Sequence, residues 1–410
     1  MIHPLENRYR TEIADIFEES SRINRMLQVE LALAQAHVEQ GTLTKNEYDL
    51  LFKSKSKVTV ELVKEIEKET HHDTMALVEA FTRVSGCDKV HLGATSSDIV
   101  DSALALQLRE ANQVVLADLL ILKNLLLSKA EETKNLVCIG RTHGQHAIPM
   151  TYGMKFALWA YEITDCLEEL RRAKFYGKMS GAVGTFASFG EKGVQIQTKV
   201  LHDLGLSVPL ITNQVVSRVF VAKYIFNLIT IVSIIEKMAK EIRNLQRSEI
   251  QELAEPFAEK QTGSSTMPHK RNPILSENLC SLAKRVRTNI LPALENISLE
   301  HERDLTNSAN ERIIIPETVI LTHFMIKRIT RIIVGLDLFP ENIRKNVHID
   351  PAIFMEKKMV ELVTEQGLGR QEAYSRAKNF ISKEKIDPEM YLGLSEQIVL
   401  KTIELLRSSE

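Results

Sequence analysis

Residues 94–139 read ATSSDIVDSALALQLREANQVVLADLLILKNLLLSKAEETKNLVCI, a run without glycine or proline. Apolar residues recur in it at helical spacing, at Leu104, Leu108, Val115, Leu119, Leu122 and Leu126. Forty residues of helix would be ~60 Å long. A helix of that length needs partners along its whole length, so a bundle is the natural architecture. A second breaker-free run spans 210–255, and shorter ones span 154–176, 274–291 and 317–334. The second run is apolar nearly all round: Val219, Phe220, Val221, Tyr224, Ile225, Leu228, Ile229, Ile231, Val232, Ile234 and Ile235. A helix apolar on every side is buried on every side. This one is expected at the centre of a bundle, covered in part by other subunits.

Outward from these runs the chain divides into three parts. The expected fold is all-α, with an N-terminal helical domain over 1–93, a central long-helix bundle over 94–338 and a short C-terminal helical domain over 339–410. The first helices are amphipathic, with Ile23, Met26, Leu27, Leu31, Ala34 and Val38 on one face and Gly41 as the stop. Ser96 or Ser97 with Asp98 is the expected N-cap of the first long helix. The glycine-rich stretch 177–190 reads as a connector between bundle helices. The part after Phe339-Pro340 is charged and helical and holds no catalytic constellation.

Composition narrows the function classes. The chain has 410 residues, 44% hydrophobic and 26% charged, as in an ordinary soluble protein. A net charge of -2 gives no bulk reason to bind nucleic acid or a membrane surface, so any anion recognition is local. Cys87, Cys138, Cys166 and Cys280 are far apart and form no CxxC, which reads as reduced thiols in a cytoplasmic protein. The start Met1-Ile2-His3-Pro4 lacks a secretory pattern. Polar residues interrupt the apolar runs, so no membrane span is expected.

The chemistry gathers in polar clusters at the ends of the expected helices. The loop Gly263-Ser264-Ser265-Thr266-Met267-Pro268-His269-Lys270-Arg271-Asn272-Pro273 is too broken for a helix or a strand. Its hydroxyl, ammonium and amide groups suit holding a small anion and moving a proton near it. Thr70-His71-His72-Asp73 suits acid–base work, a solvated helix turn or, with a third ligand that is not nearby, zinc. The adjacent histidines are expected on different faces of a helix. Gly93-Ala94-Thr95-Ser96-Ser97-Asp98 is a helix cap or an anion site. Gly140-Arg141-Thr142-His143-Gly144-Gln145-His146 suits a proton carrier in a polar pocket, or a surface turn. His301-Glu302-Arg303-Asp304, followed by Ser308 and Glu311-Arg312, offers two guanidiniums and a hydroxyl to a phosphate, or forms a solvated salt-bridge network.

The loop and the four clusters, in this order, resemble the fumarase/aspartase lyase superfamily. The His269-Lys270-Arg271 triplet is similar to the form found in adenylosuccinate lyases. The likeness runs from Arg8-Tyr9 to Phe339-Pro340-Glu341-Asn342 and more loosely through residues 367–373. It implies elimination of fumarate from adenylosuccinate and from the succinylated aminoimidazole carboxamide ribotide SAICAR. It implies Ser264 as base and His143 as acid, with His72 orienting the reacting groups and Lys270 stabilising a dianion. It places succinyl carboxylate contacts at Thr95, Ser96, Ser265, Lys270, Asn272 and Asn278, and a further contact at Gln214. Arg8, Tyr9, Arg303, Ser308 and Arg312 fall at the nucleotide end, and His71, Asp73 and Arg271 are further substrate-binding residues. The resemblance implies a homotetramer whose sites are shared between subunits, and no metal or organic cofactor. Three positions depart from the family pattern: Val219 after Arg218, Glu300 before His301, and Ala309 after Ser308. A carboxymuconate cycloisomerase shares the triplet but has no phosphate to bind. A zinc hydrolase resting on His71-His72-Asp73 and a non-catalytic helical scaffold are the alternatives from other classes.

Overall fold

The computed structural model describes residues 4–258, 260, 266–267, 269–378 and 387–408. Among these the chain is built of helices. In order they are α1 Glu19–Glu39, α2 Lys45–Ser54, α3 Val60–Thr70, α4 Asp73–Ser85, α5 Ser96–Glu132, α6 Tyr152–Arg171, α7 Gly193–Asp203 and α8 Arg218–Leu245. They continue with α9 Ile274–Arg287, α10 Ile290–Glu295, α11 Ser308–Val334, α12 Pro340–Val347, α13 Met355–Thr364, α14 Arg370–Lys378 and α15 Ser395–Ser408. The helical expectation is borne out. Small sheets are added to it: β1 Val137–Thr142 pairs with β2 Gln145–Thr151, and β3 Leu253–Ala254 pairs with β4 Asp337–Leu338, both antiparallel.

Each breaker-free run forms a helix, with local chemistry setting its ends. The last residues of the first run leave the helix and become β1. The last breaker-free stretch begins earlier than expected, because α11 continues through Pro316. That proline removes the N–H that would bond the Arg312 carbonyl. Buried Ile314, Ile315, Val319 and Ile320 on either side hold the helix together. At α2, Thr44 and Glu47 form a reciprocal capping box.

The segments gather into two compact units. The first comprises Met1–Ala117, Glu169–Thr230 and Lys284–Phe324, and the second Asp118–Glu168, Ile231–Ala283 and Met325–Glu410. The first is cored by Leu27, Ile66, Leu77, Phe81, Ile99, Leu106 and Leu201, which join α1, α3, α4, α5 and α7. In the second, Ile139 of β1 packs with Val347, Ile353 and Phe354, so the hairpin rests on the C-terminal helices.

By length and composition, α5 and α8 could each cross a membrane, which the polar interruptions in the sequence had not suggested. Both helices bury paired charges, Asp98 and Asp101 on α5 and Arg218 on α8. Charges of that kind fit helices buried in protein. All four cysteines are buried, and burial pushes the Cys138 thiol up to about 12.

Candidate active site

His143 stands at the tip of the β1–β2 hairpin. Thr142 pairs with Gln145, leaving His143 and Gly144 as a two-residue loop. Their φ angles are 54° and 77°. Two consecutive positive φ values are the mark of the type I′ turn, which matches the twist of the flanking strands. The turn exposes the imidazole. Its base is fixed by Glu252, which is fully buried. Glu252 forms an ion pair with Arg141, accepts from the Tyr152 hydroxyl at 2.8 Å and accepts from Asn346 Nδ2 at 3.0 Å. Burial and the Glu252 carboxylate push the Tyr152 hydroxyl well above its usual range, so it remains a donor.

His71 and His72 do not lie on a helix as the sequence suggested. They form the junction between α3 and α4. His71 ends α3 in the left-handed conformation, with φ 49° and an exposed ring. His72 is the N-cap of α4, and its Nδ1 accepts from the Met75 amide at 3.3 Å. An accepting Nδ1 places the proton of a neutral ring on Nε2. Asp73 accepts from Arg312 Nη2 at 2.8 Å and lies 3.5 Å from Arg22 Nη1. Burial alone would raise the Asp73 carboxyl, but the two guanidiniums outweigh it and hold it below its usual value.

Arg303 Nη1 donates to Gln214 Oε1 at 3.1 Å, which brings together two residues distant in sequence. Arg303 Nε is buried and has no hydrogen-bond partner among the described residues. Ser308 opens α11 one turn before Arg312. Tyr9 packs edge-on against Phe324 at 5.1 Å between ring centroids, and Arg8 is exposed.

Arg218, which precedes the departure from the family pattern at Val219, is a buried structural cation. It binds Asp101 at 2.7 and 3.0 Å and Glu311 at 3.0 and 3.2 Å. Burial alone would lower its pKa, but the two carboxylates outweigh it and the pKa is raised. The triad ties the starts of α8 and α11 to α5, and so fixes the turn that carries Arg312.

Thr95 and Ser96 are half-buried at the start of α5. The expected cap is corrected here. The helix begins at Ser96, and of the residues expected to cap it Asp98 closes the start by accepting from the Thr95 amide at 2.8 Å. The same carboxylate accepts from the amides of Ser180 at 2.9 Å and Gly181 at 3.2 Å and forms a fully buried ion pair with Lys178. Upstream, His91 Nδ1 lies 2.6 Å from Glu30 Oε1, and the His91 amide donates to Glu30 Oε2 at 3.1 Å. The sequence reading missed Glu30, His91, Lys178 and Glu252. For Glu30 and Lys178 the available signal was a charged side chain inside an apolar or glycine-rich stretch; Glu252, among Glu249, Gln251 and Glu255, carried no such signal.

Ser264 and Ser265 lie outside the described residues. Beyond them, Lys270 and Arg271 are exposed and Asn272 is half-buried. The Arg271 guanidinium sits over the Phe257 ring, 5.2 Å from its centroid. Asn278 accepts from Arg328 Nη1 at 2.6 Å. His143, Lys270, Arg271, Asn272 and Asn278 belong to the second unit, and the other described candidates belong to the first.

Residues 8–288 match the sequence profile of the lyase family. Adenylosuccinate lyase of Pyrococcus horikoshii is 44% identical, with 100% of this chain and 99% of that protein covered. Adenylosuccinate lyase of Methanothermobacter thermautotrophicus is 46% identical over 92% of this chain and 86% of that protein. Among solved structures, 3-carboxy-cis,cis-muconate lactonizing enzyme from Pseudomonas putida superposes with a TM-score of 0.87 at 26% identity, covering 99% of each chain. Long helices with polar clusters at their ends are therefore the frame of a helical lyase. The chain belongs to the lyase family, in its adenylosuccinate lyase branch.

Proposed function

We propose that this chain is a carbon–nitrogen lyase of purine nucleotide biosynthesis. It eliminates fumarate from adenylosuccinate to leave AMP, and from SAICAR to leave the aminoimidazole carboxamide ribotide. The observation that carries this reading is the full-length likeness to an adenylosuccinate lyase at 44% identity. The side chains the elimination requires are present in this sequence.

In this reading Ser264 removes the Cβ proton of the succinyl group. A serine hydroxyl is a weak base at neutral pH, so it needs an adjacent cation and little water; Lys270, in the same loop, is the cation assigned that task. The electrons of the C–H bond move into the neighbouring carboxylate and give a dianion. Preorganised donors stabilise that charge, a task assigned to Thr95, Ser96, Ser265, Lys270, Asn272 and Asn278. The Cα–N bond then breaks, and His143 protonates the leaving nitrogen. An exposed imidazole at a fixed hairpin tip suits that role, because it can reach a substrate while its backbone stays rigid. His72, with its proton on Nε2 when neutral, orients the leaving group, and His71, Asp73, Arg271 and Gln214 line the site. Arg8, Tyr9, Arg303, Ser308 and Arg312 take the ribose phosphate. The working form is a homotetramer in the cytoplasm, with each site assembled from several subunits.

The test is the ultraviolet absorbance change on adding adenylosuccinate to purified protein, with and without chelator. Chelator-resistant formation of AMP and fumarate is expected. No conversion by an intact oligomer would overturn the reading and point to a different succinyl or carboxymuconate substrate.

A further inference from the structure

Helix α9 follows the signature loop directly, and its N-terminus poses a bonding problem. The residue before it is Pro273, which has no side-chain acceptor to cap the helix. The second and third amides of the helix, Leu275 and Ser276, therefore need an acceptor from elsewhere, and Ser276 is fully buried. A buried amide left without a partner is strongly disfavoured.

Glu255, on the other side of the loop, supplies that acceptor. It is itself 2% exposed. Its carboxylate accepts from the Leu275 amide at 2.9 Å, the Ser276 amide at 2.9 Å and the Ser276 hydroxyl at 2.8 Å. A carboxylate at a helix N-terminus also meets the positive end of the helix dipole. Gln246, near the end of α8, adds a second tie. Its Oε1 accepts from the Glu255 amide at 2.9 Å, and its Nε2 donates to the Arg271 carbonyl at 3.1 Å. The segment entering the loop and the segment leaving it are thus bound to each other through two side chains.

We propose that Glu255 and Gln246 are positioning residues that staple the two ends of the signature loop and set where Lys270, Arg271 and Asn272 stand for the elimination. Neither residue touches substrate. The proposal rests on the lyase reading above, because it assigns the staple a purpose in that reaction. Angstrom-scale misplacement of a group that stabilises a transition state costs on the order of a hundredfold in rate.

The test compares full-length wild type with Glu255→Gln and Gln246→Ala. Glutamine keeps the shape of Glu255 but turns an NH2 toward one of the two helix amides. Gln246→Ala leaves the carboxylate cap on Leu275 and Ser276 in place and releases the Arg271 carbonyl and the Glu255 amide, so it decides the matter if Glu255→Gln does not fold. Steady-state kinetics with adenylosuccinate are measured well below the unfolding temperature, alongside hydrogen exchange over residues 271–276. In Glu255→Gln, exchange is expected to speed at Leu275 and Ser276. Both variants are expected to lose roughly tenfold to a hundredfold in kcat, with KM changed far less, as befits groups that act in the transition state. Faster exchange with normal kcat would make Glu255 a helix cap and nothing more, overturning the proposal. Unchanged exchange in Glu255→Gln would overturn it as well. Wild-type protein without turnover would instead fail the lyase reading itself, and is read before either variant.

Discussion

Lys178→Met tests whether a buried ion pair holds the start of α5. Lys178 and Asp98 are both 0% exposed. The ammonium donates to the Asp98 carboxylate and to the Gly181 carbonyl at 3.1 Å. Methionine has nearly the same length and no charge. The variant therefore leaves Asp98 buried with three backbone donors, the amides of Thr95, Ser180 and Gly181. Removing one partner of a buried pair costs about 3–5 kcal/mol. The three remaining amides keep part of the stabilisation, which places this case near ~3 kcal/mol. At ~2–4 °C per kcal/mol for a chain segment of this size, the unfolding midpoint should fall by ~6–12 °C. The assay is thermal unfolding by circular dichroism at fixed protein concentration, since assembly couples to the midpoint. Lys68→Met is the control. Lys68 and Glu65 are 72% and 69% exposed, and losing such a pair should cost under ~1 kcal/mol. Because Asp98 binds Thr95 directly, Lys178→Met should also lower turnover at temperatures where the fold persists. If Lys178→Met and Lys68→Met unfold within ~1 kcal/mol of each other, the argument that this pair fixes the segment is refuted.

The other predictions concern the chemistry and its supports. Ser264→Ala and His143→Ala should each lower kcat by roughly 10²–10⁴-fold with the oligomer intact; near-normal turnover in either, by absorbance assay, removes that residue from the mechanism. Gly144→Ala should lower kcat and, at ~2–4 °C per kcal/mol, lower the unfolding midpoint by ~2–8 °C. An added Cβ there meets nothing within 4 Å, so its cost is the left-handed backbone alone, about 1–2 kcal/mol, borne at the hairpin tip. An unchanged kcat would show that the turn geometry is not needed. Glu30→Gln should alter the pH dependence of stability. Burial alone would lower the His91 pKa, but the Glu30 hydrogen bond and charge, with the charge of Asp98, outweigh burial and raise it. A raised folded pKa contributes stability that is complete below the unfolded value of ~6.5 and is lost as pH rises through the folded value. The stability gap between wild type and Glu30→Gln, from urea titrations, should therefore be widest near pH ~6 and narrow toward pH ~9; a gap that widens with pH contradicts the sign.

The helices were legible because they depend on properties that one window of sequence contains. Without glycine or proline, and with apolar residues at a period of 3.6, residues 96–132 and 218–245 have few alternatives to a helix. The hairpin was not legible. Val137-Cys138-Ile139 continues the stretch that has no glycine or proline. Its turn uses a histidine in the left-handed conformation where asparagine or aspartate would have signalled the same geometry. The junction at His71 and His72 was read as a helix turn for a related reason. It too uses a histidine, with φ 49°, where a glycine would have marked the end of α3. In both places a candidate site residue occupies the strained backbone position, and that made the break hard to see.

The supports of the site were missed for a different reason, which concerns range. Asp98 reaches Lys178 across 80 positions, Glu252 reaches Arg141 across 111, Glu30 reaches His91 across 61 and Glu255 reaches Ser276 across 21. No period links such pairs, so no local pattern predicts them. Their placement nonetheless follows from a simple requirement. The segments carrying Thr95, His143 and Asn272 are polar and lie outside or at the very ends of regular elements, so helix or sheet bonding does not satisfy all their backbone donors. Buried donors must find acceptors, and a carboxylate can take several at once. A buried acid that collects backbone amides and one cation therefore serves an irregular polar segment as a neighbouring strand would serve a strand. In this chain Asp98 is such an acid beside Thr95, while Glu255 collects amides beside Asn272 and Glu252 collects a cation and side-chain donors beneath His143. Charge pairing there fixes geometry more than it adds stability, since an apolar replacement of a whole buried pair is often no less stable. Replacing both Asp98 and Lys178 by apolar residues should thus recover more of the stability lost in Lys178→Met than of the turnover.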